Sequence, residues 1–246
     1  MVNAKDIYNY LNDIMPFETQ EKWDNSGLLV NCGNCVEKIL CCLDVTKAAV
    51  DKAVAEGCQL IVSHHPVIFS GIKSLDSDSI LMKIIQNNIS VISAHTNFDK
   101  YQFGTSYRLA QFCGVKGNGE YVDFGLAIAL EEPEFFNNFV EKIKQNVKIS
   151  LQYTKGKETV NRVFVIAGSG KGMTEEILAA GCDCVITGES SYHDMLDLKE
   201  LGISTICLGH DESEKISVDT LTKLINERFD SVKAVSYIEE SLVKYI

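Results

Sequence analysis

Apolar and polar positions fall into blocks along the chain, with short β-branched runs followed by stretches of helical periodicity. The run "KILCCLDV" precedes "TKAAVDKAVAEG", where Thr46 is placed to cap a helix and Gly57 to end it. Similar apolar runs recur as "QLIVS", "ISVISA", "RVFVIAGSG", "CDCVITGE" and "ISTICLGH", and several of them precede a helical pattern. Continuous apolar strands alternating with helices are typical of parallel-rich sheets covered on both faces. The pattern therefore predicts an α/β fold.

The apolar runs form two series, with a middle region from "GEYVDFGLAIAL" to "KISLQYT" between them. We therefore predict two α/β halves, the first over residues 1–120 and the second over residues 121–246. An alternative is that the C-terminal segment returns to complete the first half.

Composition narrows the classes of function. A net charge of −11 without a basic stripe argues against nucleic-acid binding. Nine cysteines in a chain of 246 residues, several of them inside apolar runs, indicate reduced core thiols rather than a disulfide scaffold. The amphipathic start "MVNAKDIYNYLND" does not resemble a signal peptide, and no apolar run is long enough to span a bilayer. We expect a cytoplasmic protein that binds no membrane.

Four polar clusters lie at or just after the ends of predicted strands, where ligands gather in open α/β sheets. A single histidine in such a place is usually an ordinary hydrogen-bonded residue, but all five histidines of the chain lie there. Imidazoles mixed with carboxylates suit Zn, Fe, Mn, Co or Ni, and two adjacent histidines can each bind a different ion. The pattern therefore indicates a two-metal site. The clusters are His64 with His65, His95 with Asp99, Glu189 with His193, and His210 with Glu214.

Five segments together resemble the Nif-three-like dinuclear-metal proteins, a family that includes type-2 GTP cyclohydrolase I homologues. The segments are "EKWDNSGLLV", "LIVSHHPVIFSG", "HTNFD", "TGESSYH" and "GHDESE", and they extend in order over nearly the whole chain. The resemblance implies two similar α/β/α halves with a metal cleft between them, and a toroidal homohexamer. It also implies the ligands of two divalent transition metal ions, with Asp99 as the bridge: His64, His65, Asp99, His210 and Glu214.

The resemblance implies a metal-dependent hydrolase of a small nucleotide-like substrate. In the GTP reaction, water opens the imidazole ring of the purine and formate leaves. His193 and Glu189 are the candidates for proton transfer, although either could instead orient a ligand, and His95 is expected to orient a ligand too. Two alternatives stay open: a metal-binding regulatory or metal-handling protein without turnover, and a ring-forming scaffold with structural metals.

Three further features have a functional and a plain structural interpretation. Trp23, the only tryptophan, could stack on a purine, but its large apolar area favours a place in the core, and Asn25 could face the cleft or form a turn. The Gly-rich "AGSGKG" (residues 167–172) lacks P-loop spacing, so a tight turn without a ligand is favoured. Cys32 and Cys35 have Cys-x-x-Cys spacing but lie in a Gly/Asn loop rather than at a helix start.

Overall fold

The computed structural model describes residues 1–244, in which strands and helices alternate along the chain. The strands are β1 Gly27–Val30, β2 Lys38–Cys42, β3 Leu60–Ser63, β4 Ser90–Ser93, β5 Gly117–Val122, β6 Gly125–Phe135, β7 Gln152–Thr154, β8 Thr159–Ser169, β9 Cys184–Glu189, β10 Ser204–Cys207 and β11 Lys233–Tyr237. The α-helices are α1 Ala4–Ile14, α2 Lys47–Glu56, α3 Ile80–Gln86, α4 Thr96–Asp99, α5 Thr105–Cys113, α6 Phe136–Val147, α7 Thr174–Ala179, α8 Tyr192–Glu200, α9 His210–Glu214 and α10 Val218–Arg228. Short 3-10 helices lie at Phe17–Thr19 and Lys215–Ser217.

The chain forms two compact units. Unit 1 comprises Met1–Tyr101 and Ser217–Glu239, and unit 2 comprises Gln102–Ile216 with the described part of residues 240–246. Helix α5 belongs to unit 2 because its buried face, including Leu109, joins the apolar core around β8. The domain division predicted from the sequence, residues 1–120 and 121–246, stays a prediction. The compact unit 2 begins at Gln102, before the predicted boundary.

Unit 1 contains a five-stranded sheet in the order β1-β4-β3-β2-β11. All neighbours are parallel except β1 and β4. Alternate residues of β2 face opposite helix layers: Ile39 and Cys41 join the core with α1 and α10, whereas Leu40 and Cys42 join the core with α2 and α3. Both faces of the sheet are therefore covered, which explains why β3 and β4 are buried at every position.

Helix α2 begins and ends as the sequence predicts. The Thr46 side chain accepts a hydrogen bond from the Ala49 amide at 3.0 Å, so it caps the N-terminus. Gly57 adopts the left-handed conformation, with φ of 68°, that ends many helices. The C-terminal strand β11 returns to pair in parallel with β2.

Unit 2 contains a six-stranded mixed sheet in the order β5-β6-β8-β9-β10-β7. The central pairs β8–β9 and β9–β10 are parallel, and the outer pairs are antiparallel. One face packs against α5 and α6, and the other packs against α7 and α8. The predicted α/β class, with parallel and antiparallel strands in two helix-covered sheets, is confirmed.

The described part of the chain contains no helix long and apolar enough to cross a membrane. Its nine cysteines are all free thiols, of which Cys32 is half-buried, Cys35 is exposed and the others are buried.

Candidate metal centre

Three histidines of unit 1 lie together beyond the carboxyl ends of neighbouring parallel strands. His64 and His65 follow β3, and His95 follows β4 by two residues. Each ring offers a nitrogen that lies within 4.8 Å of the corresponding atoms of the other two. The ring centroids are 5.0 Å apart for His64 and His65, 5.1 Å for His64 and His95, and 5.5 Å for His65 and His95. Parallel pairing of β3 with β4 brings these residues to one edge of the sheet.

The backbone holds the double histidine at this edge. The His64 amide donates to the Cys42 carbonyl at 3.1 Å, and the His65 amide donates to the Leu43 carbonyl at 2.9 Å. The Ser63 hydroxyl also donates to the carbonyl of His65 at 2.8 Å. Pairing with the β2 segment therefore continues past the end of β3, so the positions of both histidines are set by the sheet.

All three rings are oriented through Nδ1. The Nδ1 atoms of His64, His65 and His95 lie 2.9, 2.8 and 2.8 Å from the Ala94 carbonyl oxygen, Asp44 Oδ1 and Asp24 Oδ1 respectively. A carbonyl or carboxylate oxygen can only accept, so we assign the ring proton to Nδ1 in each case. In the neutral ring the basic nitrogen is then Nε2. This arrangement of an oxygen acceptor behind each imidazole is typical of metal-binding histidines.

Asp99 ends helix α4 close to this cluster. Its Oδ1 lies 3.7 Å from His64 Nε2, beyond a good hydrogen bond. Two metal–ligand bonds of about 2.0–2.2 Å place a nitrogen and an oxygen roughly 3–4 Å apart, and the observed distance falls in that range. The donor set of unit 1 therefore fits a divalent ion held by imidazole and carboxylate.

Asp24 is a buried carboxylate that the sequence analysis missed. Its side chain is fully buried and accepts from the Nδ1 of His95, the Thr96 amide and hydroxyl, the Ser26 hydroxyl and the Asn25 amide. Burial alone would raise the pKa of Asp24, but the hydrogen bonds from His95 and Thr96 hold that pKa well below its ordinary value. Asp24 therefore stays ionised and keeps the His95 ring in place.

Asp44, which holds His65, was also missed, although a signal existed. It follows β2 by two residues, at the same edge as the histidines, and strand-end position alone would have selected it. Asp24 lies in "EKWDNSGLLV" between Trp23 and Asn25, and nothing in this stretch marks it as buried.

Unit 2 contains an imidazole between two carboxylates. His210 and Glu214 begin and end helix α9, with His210 Nε2 3.2 Å from Glu214 Oε2, and His210 Nδ1 lies 3.1 Å from Glu189 Oε1. The hydrogen bond to Glu214 raises the pKa of His210 to about 9; burial opposes this rise and Glu189 adds to it. Two carboxylates around one imidazole form a group that attracts a cation.

The Gly-rich turn at residues 167–172 lies against this pair. A Cβ atom at Gly168, where φ is +65°, would lie 2.1 Å from Glu214 Oε1 and 3.5 Å from His210 Nε2. The Gly168 amide also donates to Ser213 Oγ at 2.9 Å. An alanine here would have to displace the Glu214 carboxylate and adopt a left-handed backbone conformation, so this position favours glycine.

The remaining candidates occupy different surroundings. Glu189 is exposed at the end of β9 beside His210, and His193 is exposed on α8, where it contacts the ring of Tyr192 at 5.4 Å.

The expected core position of Trp23 is wrong, because the residue is 57% exposed. The Asn25 side-chain amide donates to the Ile68 carbonyl at 2.6 Å, so this residue ties two loops of unit 1 together.

Comparison with known proteins supports the resemblance seen in the sequence. The profile of the Duf34/NIF3 (NGG1p interacting factor 3) family matches residues 2–241. A Helicobacter pylori relative named GTP cyclohydrolase 1 type 2 is 37% identical over 225 residues, which cover 87% of this chain and 88% of that protein. A Clostridium acetobutylicum relative named GTP cyclohydrolase 1 type 2 homolog is 33% identical over 238 residues, which cover 90% and 89% respectively.

Solved structures share the fold. A Staphylococcus aureus hypothetical protein, SA1388, matches with a TM-score of 0.88 and 25% identity, covering 100% of this chain and 99% of that one. A Bacillus cereus protein related to NIF3 matches with a TM-score of 0.87 at 19% identity, with 99% of each chain covered, and shows the fold alone.

Proposed function

Because the chain belongs to the Duf34/NIF3 family, we propose that it is a dinuclear-metal-dependent hydrolase of a small nucleotide-like substrate. The observation that supports this proposal is the cluster of three histidines in unit 1, each with Nδ1 fixed by an oxygen acceptor. Such a preset arrangement costs little reorganisation when a metal binds. The proposed ligands of two divalent transition metal ions are His64, His65 and Asp99 of unit 1 and His210 and Glu214 of unit 2.

The residues of the chain have separate tasks in this proposal. When bound, divalent ions supply an acidified water and a Lewis acid for a substrate oxygen. Asp99 would bridge the ions, while Asp24 and Asp44 would keep His95 and His65 oriented. Glu189 and His193 are the proposed proton carriers, since both side chains are exposed, Glu189 at the end of β9 and His193 in the first turn of the following helix α8.

GTP is the first substrate to test. The Helicobacter pylori relative carries the name GTP cyclohydrolase 1 type 2, and at 37% identity its name suggests a purine nucleotide for this chain as well. In that reaction one water adds to the imidazole carbon of the purine and opens the ring to a formamide, and a second water hydrolyses the formamide to release formate. We also propose a homohexameric ring, which sedimentation would distinguish from a monomer of 27.3 kDa.

One preparation tests the proposal. The protein is purified without added metal, its metal content is measured by elemental analysis, and formate release from GTP is followed on the same sample. We expect two ions per chain and turnover of GTP. Turnover should be lost in His65→Ala. In the wild type it should be lost on chelation and return when metal is added. Asp13→Asn, which changes an exposed carboxylate on α1, is the control and should keep both properties.

The alternative functions give different results. Two exchangeable ions without turnover on any nucleotide would identify a metal-handling protein instead. Loss of the ring on chelation, again without turnover, would identify a scaffold with structural metals.

A further inference from the structure

We infer that Trp23 and Phe69 form a stacking platform for the heteroaromatic ring of the ligand, directly beside the histidine cluster. The inference rests on the proposed function in taking that ligand to be the substrate. Both residues belong to unit 1, and both are large aromatic side chains exposed to solvent, at 57% for Trp23 and 53% for Phe69. The chemical class they would bind is a planar base such as a purine.

The rings of Trp23 and Phe69 both contact His95, at one edge of the candidate metal centre. Trp23 contacts the His95 ring edge-on at 5.9 Å between centroids, and Phe69 contacts it at 6.3 Å. Trp23 and Phe69 are themselves 6.0 Å apart, with an interplanar angle of 34°. A ligand ring stacked on this pair would therefore lie close to the imidazole of His95.

Both rings are carried on backbone that is tied down. Asp24, next to Trp23, is fully buried and makes its hydrogen bonds to the His95–Thr96 segment. The Glu21 amide donates to Thr96 Oγ1 at 2.9 Å, which fixes the other side of Trp23. The Asn25 side chain holds the Ile68 carbonyl, next to Phe69. The backbone that carries the exposed rings is thus preorganised, and binding a ligand would cost little loop ordering.

The spacing of the pair defines how a base would bind. A ring inserted between Trp23 and Phe69 would need about 7 Å between the two planes, twice the usual carbon–carbon contact of about 3.5 Å. The 6.0 Å centroid separation is too short for such a slot, and the 34° tilt means that the two planes are not parallel. The pair therefore offers an open face on which one base lies, and this mode tolerates different bases because every base has a π-face.

Tryptophan fluorescence tests the inference directly, because Trp23 is the only tryptophan of the chain. The chelated, metal-free protein is titrated with GMP and, separately, with ribose 5-phosphate, which has the same sugar and phosphate but no base. We expect saturable quenching by GMP only. Phe69→Leu should raise the apparent Kd for GMP about tenfold, as loss of one stacking face does elsewhere. Phe135→Leu removes an exposed ring of unit 2 and should leave the Kd unchanged.

Three results would overturn the platform. Equal quenching by ribose 5-phosphate would show that the base is not recognised, and an unchanged Kd in Phe69→Leu would remove Phe69 from the site. Emission that follows protein concentration rather than GMP would show that the aromatic patch packs against a second copy of the chain.

Kinetic measurements of turnover test the stacking platform separately from the proposed function. In an active enzyme, Trp23→Leu should raise KM for GTP about tenfold while kcat stays within about twofold, since stacking is lost but the metal ligands remain. Turnover with an unchanged KM in Trp23→Leu would refute the platform and keep the hydrolase. Saturable, base-dependent quenching without any turnover would keep the platform and refute the hydrolase.

Discussion

Asp24→Asn is the substitution that tests most sharply how unit 1 holds its histidines. The change keeps the shape of the side chain but removes its charge and turns one acceptor oxygen into a donor. Asp24 accepts five hydrogen bonds, and three of them come from groups that can only donate: the Asn25 and Thr96 amides and the Nδ1–H of His95. The other two come from hydroxyl groups, which can rotate to accept.

The expected cost follows from this count. If the new amide keeps its oxygen towards His95 and Asn25, its NH₂ group faces the Thr96 amide. Two buried donors then face each other without an acceptor, which costs about 1–3 kcal/mol of stability. The hydrogen bond from His95 also loses its charge assistance, worth about 1 kcal/mol. We therefore expect the free energy of unfolding of unit 1 to fall by about 3 kcal/mol, a large part of an ordinary domain's total of about 5–15 kcal/mol.

Urea unfolding followed by Trp23 emission measures this directly, because the probe is adjacent to the substitution and lies in unit 1. Asp13→Asn, an exposed carboxylate in α1, is the control and should change stability by less than about 0.5 kcal/mol. The pKa of Asp24 is lowered in the folded state from an ordinary 3.8. Its stabilisation is thus fully present above about pH 4 and is lost as pH falls below that value. An Asp24→Asn variant as stable as the wild type at pH 7 would refute the reasoning.

Three other predictions concern a glycine near Glu214, the cap of α2 and the cysteines. Gly168→Ala should lower the metal content at limiting metal, because the new Cβ displaces the Glu214 carboxylate. The control is Gly172→Ala, which is also at positive φ but has open space around it. It should lose only about 1 kcal/mol of stability through backbone strain and should keep its metal. Thr46→Ala should destabilise unit 1 by about 1 kcal/mol in urea unfolding through loss of the α2 cap. A thiol reagent at pH 8 should label Cys32 and Cys35 quickly and the buried cysteines only after unfolding, since burial raises the pKa of Cys113, for example, to about 12.

Much of the fold could be predicted because each strand carries its own signal. Strands β3 and β4 are buried on both faces, and this produces short runs in which only serine accompanies the apolar residues. The cap at Thr46 and the end of α2 at Gly57 depend on neighbouring residues only, so the sequence alone indicates them. The clustering of His64, His65 and His95 also follows from strand ends alone, once β3 and β4 are neighbours.

What could not be predicted depends on contacts between distant segments. Asp24 acts through the segment at Thr96, 72 residues away, and no pattern in "EKWDNSGLLV" indicates that partner. The exposure of Trp23 was missed for the same reason: composition favours burial of a large ring, but the buried neighbour Asp24 fixes the backbone so that the ring stays outside. The role of Gly168, in β8, depends on Glu214, which approaches it from helix α9.

Anomalous diffraction from crystals grown with manganese or zinc tests the central claim most directly, since it locates ions independently of turnover. We predict an anomalous peak in unit 1 within about 2.0–2.2 Å of the Nε2 of His64 and of a carboxylate oxygen of Asp99, with Nδ1 still bonded to the Ala94 carbonyl. Crystals at saturating metal in which the three histidines carry no anomalous density would contradict the account.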